Sequence, residues 1–308
     1  MFFTIADAMK VSVPLGELAG RGVLGAARPL RVIDLGAGCG AMSLGLVAST
    51  DVPLAITAID RDARALEIAA NSVRDLASRR GRSVTIATRT DDATSARLAD
   101  ADLVVMGTLL NELTESARLA TVERALAALA PDGALIIIEP ALRDTSRDLH
   151  TLRDAVLTRG SAHVFAPCTR RGAPCPALAN PTDWCHEDRA VTLPPRTAEL
   201  ARLTHLRDNG LKFSYLVLRK GEQPLATEPG AWRIVGEPWS QKGKVEVLGC
   251  SDAGRMPLRL LRRNRVDANR ELERASRGDV MIVDAPAGDE RIEIEATTVL
   301  TRRDPSKR

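Results

Sequence analysis

Between residues 30 and 140, five short apolar runs alternate with stretches whose apolar residues recur at helical spacing, and this alternation leaves few folds open. The runs are LRVIDLG (30–36), LAITAID (54–60), VTIAT (84–88), DLVVMG (102–107) and GALIIIEP (133–140). They are continuously apolar rather than alternating, as strands buried on both faces of a parallel sheet should be. Between the second and third runs, Leu66, Ala69, Ala70, Val73 and Leu76 fall on one helical face. The segment ESARLATVERALAALAPDG repeats the pattern and stops at the breaker Pro131-Asp132-Gly133. Repeated strand–helix units predict an α/β domain whose parallel sheet carries helices on both faces.

After Arg143 the pattern changes. A helix is expected over DLHTLRDAVLTRG, followed by an irregular stretch with Pro167, Pro174, Pro176 and Pro181, too many prolines for helix or interior strand. LKFSYLVLRK (211–220) reads as a strand returning to the sheet. AWRIVG, GKVEVLGC, MPLRLLRR, DVMIVD and IEIEATTVL then read as short strands of a small β-rich C-terminal part, and TRRDPSKR as a frayed tail. The expected organisation is a core over 1–160, a cysteine-bearing insertion over 161–210, and a last core strand with the basic β-rich region over 211–308.

Composition narrows the function. The chain is 44% hydrophobic but only 3% aromatic, so Leu, Val, Ile and Ala must build the core. A net charge of +3 does not by itself announce nucleic acid. No apolar run reaches the ~18–20 residues of a membrane span, and the N-terminus lacks the basic and apolar regions of a signal peptide. A cytoplasmic, reducing location is therefore expected, with no membrane partner. In such a compartment clustered cysteines bind metal or do chemistry more often than they pair.

The loop VIDLGAGCG (32–40) closes the first strand. Gly36 and Gly38 permit a tight turn and close approach of a ligand, and Gly40 lets the next helix pack closely. The loop has neither P-loop spacing nor the full dinucleotide pattern. Its Asp-x-Gly-x-Gly-x-Gly form, with Asp34, resembles class I S-adenosylmethionine-dependent methyltransferases. That resemblance makes Asp60, ending the second strand, the expected acceptor of ribose hydroxyls. It points Asp91 or Asp92 (Asp92 preferred) at the adenine amine, and the loop 107–113 at the methionine end. The Asn/Asp-Pro-Pro-aromatic motif of base amino-methyltransferases is absent; Thr108-Leu109-Leu110-Asn111-Glu112 stands there. A cytosine-C5 nucleophile at Cys168 would lie too far along the chain. No catalytic base is named.

Cys168, Cys175, Cys185 and Cys250 lack the C-x2–4-C knuckle of structural zinc. Four thiolates from uneven loops suit an iron–sulfur cluster at least as well. Either metal would tie the insertion to the C-terminal strands.

Together, FAPC, PCP, DWCH, KFSYLVLRK, DLGAGCG, TLLNEL, IIIEP and VEVLGC resemble the methyltransferase-like small-ribosomal-subunit assembly factors over about residues 30–280. The resemblance implies a class I methyltransferase (Rossmann-like) fold and a 4Fe-4S cluster on Cys168, Cys175, Cys185 and Cys250. It also implies S-adenosylmethionine at Gly36, Gly38 and Gly40, and a role in assembling the small ribosomal subunit by binding its rRNA rather than DNA. The chain departs from that family at Thr169-Arg170, where Pro-His is usual, at Glu187, where an aromatic is usual, and in a short N-terminal helical region. The alternative is an active RNA or small-molecule methyltransferase with structural zinc.

The segment 255–279 is rich in arginine, whose planar fork suits phosphate, and Arg170 and Arg171 could join that surface. The plainer reading is a solvated helix face with Glu271 and Glu273 paired to nearby arginines.

Overall fold

The five apolar runs become strands of one sheet: β1 (Leu30–Leu35), β2 (Leu54–Asp60), β3 (Val84–Thr90), β4 (Ala101–Gly107) and β5 (Leu129–Pro140), of which β1, β4 and β5 are buried on both faces and β3, at the edge, buries only Ile86. The computed structural model describes residues 2–23, 28–206, 210–285, 288 and 290–305. Two helices, α1 (Phe2–Ala8) and α2 (Ser12–Gly20), precede the sheet. Those between and after its strands are α3 (Ala41–Ser49), α4 (Ala63–Arg80), α5 (Glu115–Ala128) and α6 (Arg143–Arg159). Then follow β6 (His163–Ala166), β7 (Glu187–Ala190), α7 (Pro195–Leu203) and β8 (Gly210–Arg219). The order across the sheet is β3-β2-β1-β4-β5-β8-β6, with β7 also paired to β8. β1 to β5 run parallel, and β8 returns antiparallel to β5. The strand order reverses at β1, which makes the loops after β1 and β4 a ligand crevice.

Local chemistry sets the helix ends. Asp62 caps α4 by accepting from the N–H groups of Arg64 and Ala65, and Gly81 closes it in the left-handed conformation. The α4 face buries Leu66, Ala69, Ala70 and Val73 as the spacing predicts, but its last member is Ala77, with Leu76 only half-buried. Three turns of about 3.6 residues bring Ala77, not Leu76, back over Leu66.

The C-terminal segments form a second sheet of β9 (Ala231–Ile234), β10 (Trp239–Gln241), β11 (Lys244–Ser251), β12 (Gly254–Leu261), β13 (Val280–Val283), β14 (Ile292–Ile294) and β15 (Leu300–Arg303). Its order is β14-β12-β11-β9-β13-β15, with β10 on β11. Along β11 burial alternates residue by residue, the mark of a one-sided sheet. Trp232, Val247, Leu258, Met281 and Ile292 pack on the buried side.

Two expectations need correction. The tail read as frayed starts inside β15, where Thr301, Arg302 and Arg303 pair with Ile282, Met281 and Val280; ladder bonds hold what composition alone suggested was loose. Residues 306–308 of that tail lie outside the described residues. The segment 255–279 is no helix face. Its first part is β12, and the rest holds short 3-10 turns at Arg262–Asn264 and Arg270–Arg274. The helix α7, which opens on proline, was not anticipated at all. Among the described residues, no helix is long and apolar enough to cross a membrane.

Candidate functional site

The glycine loop joins β1 to α3. Gly36, Gly38 and Gly40 all have left-handed φ angles, +73°, +48° and +83°. A Cβ on Gly40 would lie 2.8 Å from the Ala69 Cβ, so glycine is what lets α4 pack against the loop. A Cβ on Gly38 would point into open space, leaving its backbone approachable. Asp60 at the end of β2 braces this turn: Oδ2 accepts from the Gly38 N–H at 2.8 Å and Oδ1 from the Asp62 N–H at 2.9 Å. Asp34 is buried, with Oδ2 accepting from the Ser43 N–H at 3.0 Å and the Ser43 hydroxyl at 2.6 Å. Its Oδ1 is buried with no partner among the described residues. Burial outweighs the Ser43 bonds and pushes the Asp34 carboxyl up to about 6. Asp92 is exposed, and bonds from the Thr94 hydroxyl and N–H lower it. The structure thus brings Asp34, Asp60 and the three glycines together at one turn, with Asp92 just beyond the neighbouring β3.

The loop after β4 faces that turn. Leu109 covers Gly36 so closely that a Cβ there would lie 2.8 Å from its Cδ1. Thr108 holds φ +54°, a left-handed conformation that a β-branched residue rarely adopts. Glu139, at the end of β5, restrains the loop by accepting from the N–H groups of Leu110 at 2.9 Å and Asn111 at 3.2 Å. With its amide nitrogen turned to donate, Asn111 also reaches Glu139 Oε2 at 2.9 Å and the Thr108 carbonyl at 3.0 Å. Burial pushes Glu139 up to about 7 against those bonds. Its side chain is 1% exposed, so it acts on the loop and not on a ligand in the crevice.

Cys168, Cys175, Cys185 and Cys250 line a single cavity of about 50 Å³, although 82 residues separate the first from the last. Its back wall is α6. Ser146, His150 and Arg153 recur at helical spacing on one buried face, and each serves the cysteine segments. His150 Nε2 accepts from the Cys185 N–H at 3.0 Å, and Ser146 bonds Ser214, whose hydroxyl donates to the Cys185 carbonyl at 2.9 Å. Asp154 accepts from the Cys175 N–H at 2.7 Å. The Thr169 hydroxyl donates to the Cys250 carbonyl at 2.9 Å, fixing insertion to second sheet. Across that join Arg170 Nη1 also donates to the Asp252 carbonyl at 2.8 Å and the Arg171 N–H to Asp252 Oδ1 at 2.9 Å.

Burial, then the neighbouring thiols, push Cys175 up to about 11 and Cys185 up to about 12, and raise Cys250 further. Unligated, these thiols stay protonated; a metal cation would deprotonate them and release the protons. Arg153, Arg233 and His186 line the cavity, and each has one nitrogen buried without a partner among the described residues: Nε of the two arginines and Nδ1 of the imidazole. Sulfur bearing negative charge would satisfy them. Among the described residues, no group of three or more His, Cys, Asp or Glu side chains is arranged to hold a single metal ion.

Below the cavity lies a buried ionic network absent from the sequence reading. Arg233 on β9 donates to Glu17 of α2 at 2.8 Å, to Glu187 of β7 at 2.9 Å and to the Tyr215 hydroxyl of β8 at 2.9 Å. Tyr215 donates in turn to Glu17 at 2.7 Å. Burial opposes the Arg233 charge, but Tyr215, Glu17 and Glu187 outweigh it and hold the guanidinium well above its ordinary value. Arg233 is also the cross-strand partner of Cys250. The sequence signal was available only in part: a Glu inside the apolar α2 pattern and an Arg inside the β9 run are both out of place at a surface-poor position.

Most arginines of the basic segment are paired: Arg255 with Asp183, Arg259 with Glu293, Arg265 with Glu273 and Arg274 with Glu271. Arg262 and Arg263, at the end of β12, are exposed and form no ion pair among the described residues.

A sequence profile described as mitochondrial small ribosomal subunit Rsm22 matches residues 15–281. No curated protein matches the chain. Among solved structures, magnesium protoporphyrin IX methyltransferase from Synechocystis PCC 6803 with bound SAM is 12% identical, with a TM-score of 0.39, over 69% of this chain and 80% of that one. A candidate RNA methyltransferase from Pyrococcus horikoshii is 13% identical, with a TM-score of 0.40, over 68% and 84%. A candidate class I S-adenosylmethionine-dependent methyltransferase from Listeria monocytogenes is 12% identical, with a TM-score of 0.42, over 71% of this chain and 62% of that one. The fold is of the Rossmann-like methyltransferase class, with a second, β-rich sheet toward the C-terminus.

Proposed function

Since the chain belongs to the mitochondrial small ribosomal subunit Rsm22 family, we propose that it binds small-subunit rRNA and assists assembly of that subunit, carrying S-adenosylmethionine on its glycine loop and a 4Fe-4S cluster on four cysteines. The observation that carries this reading is the cavity itself: Cys168, Cys175 and Cys185 of the insertion meet Cys250 of the second sheet there. Its volume of about 50 Å³ exceeds the ~10–15 Å³ that one water needs. The reading is supported by two lining arginines, Arg153 and Arg233, whose Nε–H donors are buried without partners among the described residues and could be accepted by sulfur. When bound, the cluster supplies a covalent tie between the insertion and the second sheet. The chain's own part is to place the cysteines: Asp154 holds the backbone of Cys175, His150 and Ser214 that of Cys185, and Thr169 that of Cys250.

Asp60 is the residue to test for the cofactor. Hydrogen bonds to a charged group contribute ~1.5–3 kcal/mol, so Asp60→Ala is expected to weaken S-adenosylmethionine binding roughly 10- to 100-fold. Calorimetry on the purified protein measures this, and unchanged affinity would remove Asp60 from the site.

For RNA, the exposed pair Arg262 and Arg263 is the natural phosphate contact. Their joint replacement by alanine is expected to weaken binding to transcribed small-subunit rRNA and to flatten its salt dependence by about 1.5 in log–log slope, near 0.7–0.9 per phosphate. A slope equal to that of the unaltered protein would exclude the end of β12 from the RNA interface. Methyl transfer to that rRNA, with zinc in place of iron, would instead favour an active methyltransferase.

A further inference from the structure

Arg153 is 2% exposed on the face of α6 that walls the cysteine cavity. Its Nη2 donates to the carbonyls of Arg170 and Gly172 at 3.1 and 3.0 Å, and so grips the loop between Cys168 and Cys175. Its Nη1 donates to Asp154 at 2.6 Å, and Asp154 in turn holds the Cys175 N–H. Nε–H alone is left buried and without an acceptor among the described residues. A buried orphan donor is costly enough to need a reason.

The cavity that Arg153 lines is the one lined by the four cysteines. Arg153 interacts electrostatically with Cys168 and Cys175, and it shares the cavity wall with all four cysteines. The other buried arginine on that wall, Arg233, is already balanced by Glu17 and Glu187. Among the described residues Arg153 has one carboxylate partner, Asp154. Four thiolates around a cluster leave the centre negative, and reduction by one electron makes it more so. A fixed cation and an N–H aimed at sulfur favour that reduced form and raise the potential. Lysine could not do both jobs, because only the planar fork holds two carbonyls while presenting a further N–H.

We propose that Arg153 is a positioning residue of the cysteine centre: its Nε–H donates to a sulfur there, and its charge raises the reduction potential. This rests on the cluster reading above. Asp154 opposes it, so substitutions at the two positions should move the potential in opposite directions.

The test is a dithionite titration with redox mediators, without oxygen, of the full chain purified with its iron, followed by absorption and electron spin resonance. At the midpoint of the unaltered protein, Arg153→Gln is expected to raise the oxidised-to-reduced ratio at least tenfold, a downward shift of about 59 mV or more for one electron. Asp154→Asn, which keeps an acceptor for the Cys175 N–H, is expected to lower that ratio. An iron-loaded Arg153→Gln protein with an unmoved midpoint would overturn this proposal and leave the cluster reading standing. Should Arg153→Gln fail to fold, an Asp154→Asn midpoint that is unmoved or lower overturns it equally. An unaltered protein without iron overturns both.

Discussion

Replacing Cys250 with serine is expected to reduce iron to less than a tenth of that in the unaltered protein and to lower the melting temperature by roughly 8–16 °C. The thermal figure follows from about 4 kcal/mol, the threshold above which losses of a metal centre fall, at ~2–4 °C per kcal/mol for chains near this size. Cys250 is the informative choice because it is the one cavity cysteine on the second sheet, on β11. The other three belong to the stretch between β6 and β7. Losing Cys250 therefore cuts the link between the two parts while leaving the insertion's own sequence intact. Thermal melting in absorption and circular dichroism, with iron assayed alongside, measures both effects. A Cys250→Ser protein that keeps its iron and its melting temperature would show that the centre, if present, does not need this sulfur.

The second large effect is expected from Arg233→Leu. Removing one partner of a buried charge pair costs about 3–5 kcal/mol, because the other partner is left buried and unpaired. Here Glu17 would be stranded with only the Tyr215 hydroxyl, while Glu187 would keep its pairing with Arg189. The urea midpoint should fall accordingly, and adding Glu17→Gln should recover part of the loss, since the stranded charge is then gone. The pH dependence has a definite sign. Burial already raises Glu17 above its ordinary 4.5, and without Arg233 the main opposing influence is gone. A carboxyl raised in the folded state gives its full stabilisation below its unfolded value and loses it as pH rises through the folded one. Arg233→Leu should therefore be most nearly native in mildly acid solution and weaken progressively above about pH 4.5. A variant whose deficit is the same at every pH would mean that Glu17 finds another partner.

What the sequence disclosed was whatever depends on neighbours along the chain. The strands β1 to β5 and the turn of Gly36, Gly38 and Gly40 follow from local apolar runs and from backbone conformations that glycine adopts readily. The four cysteines stood out by type and crowding, and they line one cavity. What stayed hidden depends on tertiary register. Arg233 meets Glu17 across 216 positions and Glu187 across 46, and no periodicity encodes such pairings. The helical pattern over DLHTLRDAVLTRG does not single out His150 and Arg153, yet α6 turns them toward the cysteines. The arginines of 255–279 are numerous in the sequence, but acids from β14 and from the turn at 270–274 neutralise most of them. The free cationic surface is thereby reduced to a short stretch at the end of β12 that includes Arg262 and Arg263.

The arrangement also explains how a methyltransferase-like sheet and a β-rich sheet are held as one body. Leu149 of α6 lines the cysteine cavity and also the small cleft that contains Glu139 and Asn111, so one helix borders both centres. The Arg233 network reaches from Cys250's neighbour strand back to α2. Both connections converge on the four cysteines.

The most direct measurement is therefore the metal content of the protein purified without oxygen: iron, sulfide and zinc per chain, with an absorption spectrum. About four irons and matching sulfide, as a 4Fe-4S centre requires, is the predicted result. One zinc with no iron, or no metal at all in a folded protein, would contradict it.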